Sequence, residues 1–76
     1  MEGENNLKIL YTIEALYKKS DENTYITASE IIEYLQKKEL KADRKTIYNY
    51  INLLIEVYGM DIKKEKKGYR LMSREF

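Results

Sequence analysis

The sequence predicts a mainly α, α+β fold: three helices closed by a C-terminal β-hairpin, in one domain over residues 1–76. Three observations predict it. Apolar residues recur at helical spacing in three stretches. Capping residues, Thr27 with Glu30 and later Asp43, stand directly before the second and third. After Gly59 the period shortens to that of strands, with a charged, glycine-bearing turn between two runs.

The first helix, about 5–19, rests on Leu7, Leu10, Tyr11, Leu16 and Tyr17, with Ile9 and Ile13 widening the stripe. Residues 20–24, rich in turn formers, end it. Tyr25 and Ile26 are too short a pair for a strand of their own but long enough to pair with one elsewhere. Thr27 and Glu30 have the spacing of a capping box, opening a second helix over about 28–38 through Ile31, Ile32 and Leu35. Lys37 and Lys38 suit the dipole at its far end.

Asp43 caps the third helix, about 44–58, whose inner stripe is Ile47, Tyr50, Ile51, Leu54 and Tyr58, with Ile55 at its edge. Gly59 stands where a left-handed residue closes a helix. Strands at about 60–64 and 69–72 flank a turn in which Gly68 is available for positive φ. An isolated hairpin is marginal in water, so it must pack on the helices. Of the tyrosines, Tyr11, Tyr17, Tyr34, Tyr50 and Tyr58 fall on or near core stripes, whereas Tyr48 points sideways.

Composition narrows the chemistry. With neither cysteine nor histidine, disulfides, Cys/His zinc sites and histidine acid–base catalysis are excluded. No glycine-rich phosphate loop or EF-hand spacing is present, so the expectation is no catalytic residue, no metal and no cofactor. No apolar run reaches the ~18–20 residues of a membrane span, and the polar first six residues do not resemble a signal peptide. The expected setting is the cytoplasm, without a membrane partner.

A net charge of +1 argues by itself against strong nucleic-acid binding, but its distribution reverses the argument. Residues 1–40 carry five lysines against eight acids; residues 41–76 carry nine Lys/Arg against five. The second and third helices, joined by a short connection, have the form of a helix-turn-helix, and the hairpin adds a wing. The third helix is then the reader. With Ile47, Ile51 and Leu54 inward, Lys45, Asn49, Asn52 and Glu56 face outward, and Arg44, Thr46 and Tyr48 flank the helix start. These donors suit phosphates and base edges. Polar outer faces are ordinary on amphipathic helices, but here donors outnumber acids on the helix placed to read. Tyr48 faces either sugar-phosphate or the hairpin. Lys63, Lys64, Lys66, Lys67 and Arg70 form a basic cluster on the hairpin, suited to flanking phosphates or to discouraging edge-to-edge aggregation.

The run 43–48 (Asp43, Arg44, Lys45, Thr46, Ile47, Tyr48), then 51–54, 58–62 and 68–71, resembles the N-terminal winged domain of WYL-domain transcription regulators, themselves similar to the deoxyribose-operon repressor type. Residues 27–31 and 73–76 fit the same pattern. The resemblance implies DNA contact through Arg44, Lys45, Thr46, Tyr48 and Asn49. Tyr50 stands where the family often has an acid, and Asn49 where a larger basic residue is common, so base preference is this chain's own. Members usually continue into a ligand-sensing region, which implies either a domain separated from its sensor or a naturally short relative.

The expected function is sequence-specific binding of double-stranded DNA in transcription control, by two copies on a two-fold site. The alternative is a winged protein-interaction module without DNA, open because of the low net charge and acidic first half; an exposed apolar patch of Tyr25, Ile26 and part of the first helix would favour it.

Overall fold

In a computed structural model that describes residues 2–73, with side chains from Glu4 onward, the elements follow in chain order. They are α1 (Glu2–Lys19), α2 (Ala28–Gln36), α3 (Arg44–Glu56), β1 (Ile62–Lys64) and β2 (Tyr69–Leu71). Residues 74–76, the end of the family resemblance, lie outside the described residues. The strands pair antiparallel in the register Ile62 to Leu71, Lys63 to Arg70 and Lys64 to Tyr69. This is the winged helix-turn-helix arrangement.

The second and third helices begin where their caps predict. Thr27 Oγ1 accepts from the Glu30 amide at 3.0 Å, and Glu30 Oε1 accepts from the Thr27 amide at 2.9 Å. Asp43 Oδ1 accepts from the Thr46 amide at 2.8 Å. Both helices stop two residues before their expected ends. After α2, the Leu40 amide donates to the Leu35 carbonyl (3.0 Å) and the Glu39 amide to that of Gln36 (2.9 Å). Glu39 adopts φ 60°, so a Schellman turn closes the helix with a non-glycine residue in the left-handed position. Lys38 thereby leaves the helix end and sits over the rings of Tyr11 and Tyr34. After α3, Gly59 takes φ 68°, as its position predicts.

The core joins Ala15 and Leu16 of α1, Ile31 and Leu35 of α2, Ile47, Ile51 and Leu54 of α3, and Ile62, Tyr69 and Leu71 of the hairpin. Ile26 belongs to it and supplies the predicted pairing. Its amide donates to the Tyr69 carbonyl at 2.9 Å and its carbonyl accepts from the Tyr69 amide at 2.8 Å. The wing is thus tied to the segment before α2. A second tie is Ser20, whose buried hydroxyl donates to the Leu16 carbonyl (2.7 Å) and accepts from the Leu71 amide (3.2 Å).

Three expectations are corrected. Leu7 and Leu10 are 46% and 60% exposed, because the inward face of α1 centres on Thr12, Ala15 and Leu16, all fully buried, while Ile9, Tyr11, Ile13 and Tyr17 pack against the core as expected. Thr12 is tolerated there because its hydroxyl donates to the Lys8 carbonyl at 2.7 Å. Tyr58 is 61% exposed, because α3 ends at Glu56 and the chain leaves the helical stripe before reaching it. Gly68 does not take positive φ. Glycine is needed there for room: an added Cβ would overlap the Ile26 carbonyl oxygen and lie 2.9 Å from its carbon.

Candidate nucleic-acid interface

The N-terminal turns of α2 and α3 and the tip of the wing meet around an open groove of ≈ 520 Å³. Ser29 enters from α2, Arg44, Lys45 and Tyr48 from α3, and Glu65, Lys66 and Lys67 from the tip. Gly68 and Tyr69 complete the wall. The tip is closed by the Glu65 amide donating to the Gly68 carbonyl at 2.8 Å, which presents Lys66 and Lys67 to solvent.

The groove carries four cations against one carboxylate, Glu65, which is ion-paired with Arg70. Arg70 also donates through Nη1 to the Glu22 carbonyl at 2.9 Å. Its guanidinium therefore ties the wing to the turn after α1 and neutralises Glu65. Burial pushes the Tyr69 phenol above the ordinary range, with Tyr48 adding to the rise and Arg44 opposing it. A neutral phenol thus lies beside the Arg44 charge in the groove wall.

The remaining expected contact residues divide by what they already touch. Arg44 Nη2 donates to Ser29 Oγ at 2.7 Å, fixing the guanidinium between the starts of α2 and α3. Lys64 Nζ donates to Asn52 Oδ1 at 2.7 Å and lies 5.2 Å from the Tyr48 ring centroid. The register explains this contact. Lys64 shares a strand face with Ile62 and so points toward α3, whereas Lys63 and Arg70 share the opposite face. Tyr48 meets the hairpin and still remains 49% exposed. Thr46 is half-buried beside the Asp43 cap. Lys45 and Asn49 are exposed, and their side chains hydrogen-bond to no other described residue.

Ser29, Glu65 and Tyr69 were not among the residues expected from sequence. The capping box does place Ser29 in the first turn of α2, a readable signal. The inward tilt of Tyr69 depends on its pairing with Ile26, which no local pattern reveals.

A second surface shares no residue with this groove. Asn6, Ile9, Leu10, Ile13, Leu54, Tyr58 and Met60 line a largely apolar depression of ≈ 450 Å³ between α1 and the end of α3. Among the described residues no helix is long and apolar enough to cross a membrane, and no group of three acidic, histidine or cysteine residues could hold a metal. No protein-family model, curated protein or solved structure matches this chain.

Proposed function

We propose that this chain is the DNA-binding domain of a WYL-type transcription regulator that works in the cytoplasm and recognises a specific double-stranded site. In this reading the N-terminal half of α3 enters the major groove and the wing tip lies along the flanking backbone. The observation that carries it is the groove itself. Arg44, Lys45, Lys66 and Lys67 converge there from three elements, and its one acid is already neutralised. Thr27 caps the Glu30 amide, but the Ala28 and Ser29 amides at the start of α2 have no partner within their helix, which favours a phosphate held by Arg44 and Ser29. One domain covers little DNA, so two copies on a two-fold site supply useful affinity.

A titration of binding against salt tests the reading. If about four to six phosphates are neutralised per copy, the log–log slope is about −4 to −5. A slope near zero removes it. Lys66→Ala is expected to weaken every sequence alike, because a wing lysine meets only backbone.

One observation favours a second reading, a protein-interaction module. Tyr25 and Ile26 do not supply the apolar patch that would favour it, since Ile26 is buried, but Leu10 and Tyr58 border an apolar depression elsewhere. Absence of salt-dependent DNA binding together with concentration-dependent association through that depression would select it.

A further inference from the structure

Seven polar residues on α3 face outward or flank its start, and they do not have equal freedom: Thr46 is half-buried beside the Asp43 cap and Glu56 lies at the far end of the helix. Arg44 is fixed on Ser29 across the junction of two helices, whereas Lys45, which lines the same groove, has no side-chain hydrogen bond among the described residues. Asn52 has its carbonyl oxygen occupied by the Lys64 ammonium. A carboxamide recognises adenine by accepting from N6 and donating to N7 together; in Asn52 the Lys64 ammonium takes one of the oxygen's two lone pairs and holds the side chain toward the wing. Tyr48 lies toward the wing under Lys64. That leaves Lys45 and Asn49, both exposed, both with side chains that hydrogen-bond to no other described residue, one helical turn apart.

We infer that Lys45 and Asn49 are the base-reading pair of this domain, and that its DNA half-site carries a guanine and an adenine within two base pairs of each other. The inference rests on the DNA-binding reading above and deepens it. The ammonium of Lys45 offers donors only, which match the two acceptors, O6 and N7, on the major-groove edge of guanine. The whole amide of Asn49 offers one donor and one acceptor, which match adenine N7 and N6. Residues four apart on a helix are separated by about 6 Å along its axis. Reader-helix residues spaced three to four apart contact successive base pairs in the modules where such spacing is established. The two bases are therefore neighbours or next neighbours.

The test is selection of binding sites from random double-stranded DNA, using the 76-residue chain and its Lys45→Ala and Asn49→Ala forms. The expected wild-type motif contains the guanine and adenine at this spacing. Asn49→Ala should lose discrimination at the adenine alone and Lys45→Ala at the guanine alone, each by roughly 5- to 150-fold. Unchanged helical circular dichroism confirms that the variants fold. An enriched motif lacking this pair, or one whose preferences survive both substitutions, overturns the assignment while leaving DNA binding intact. No enrichment together with a flat salt titration overturns both.

Discussion

At Gly59 the backbone turns through φ 68° and open space surrounds the position a Cβ would occupy, whereas at Gly68 the backbone is unremarkable and the space is already taken. Gly59→Ala therefore meets only the left-handed penalty, about 1 kcal/mol, or ~4–8 °C in the midpoint of a domain this small. Gly68→Ala must push the wing off Ile26 and break the pair of hydrogen bonds there. The expected order in thermal unfolding is wild type above Gly59→Ala above Gly68→Ala. Hydrogen exchange at the Ile26 and Tyr69 amides should rise only in Gly68→Ala. Equal losses, or unchanged exchange in Gly68→Ala, would contradict the close approach. The role of Gly59 is readable from sequence because a helix end is a local event. That of Gly68 is not, since its crowding neighbour is distant along the chain. The same limit applies to Lys64 and Arg70, whose partners Asn52 and Glu22 become visible only once strand register is fixed.

Helix α3 begins at a charged cap, and this makes the element responsive to pH. The Thr46 amide, and after it the Thr46 hydroxyl, hold the Asp43 carboxyl below its ordinary value. A carboxyl lowered in the folded state contributes stability above its unfolded pKa and loses it as pH falls through the lowered value. Asp43→Asn retains an oxygen for the cap but carries no charge. Its midpoint is expected to lie below that of wild type at neutral pH, with the gap closing from about pH 4 downward. A gap that stays constant through the acid limb would show that the charge is irrelevant to the cap. The starts of α2 and α3 were legible because capping boxes and N-caps are spelled out in consecutive residues. The face of α1 was not. Apolar side chains occupy much of its circumference, so spacing alone does not choose a stripe. The small residues Thr12 and Ala15, both fully buried, lie on the face that packs inward.

For the molecule as a whole, that rotation of α1 separates two surfaces: a basic groove at the helix starts and wing tip, and an apolar depression edged by Leu10 and Tyr58. The split of charge between the chain's halves made the first legible in outline, because Lys66 and Lys67 adjoin the turn that carries them. The second was hidden by the reasonable expectation that leucines and a tyrosine at helical spacing face the core. Two leucines of the same helix separate the alternatives. Leu16 is fully buried, so Leu16→Ala loses transfer energy and leaves a cavity, costing about 2–5 kcal/mol. That is a large part of the roughly 4–11 kcal/mol available to a chain of this length. Leu10 is mostly in water already, so Leu10→Gln should stay within about 0.5 kcal/mol of wild type. Urea unfolding reads both changes directly. Comparable destabilisation by the two substitutions would restore Leu10 to the core and remove the apolar depression. If the domain binds DNA as proposed, Leu10→Gln should also leave the salt slope of that binding unchanged, because Leu10 shares no groove with Arg44 or Lys45. A slope that shifted with Leu10→Gln would mean that the two surfaces act together, as they would if copies meeting through α1 bind the site jointly.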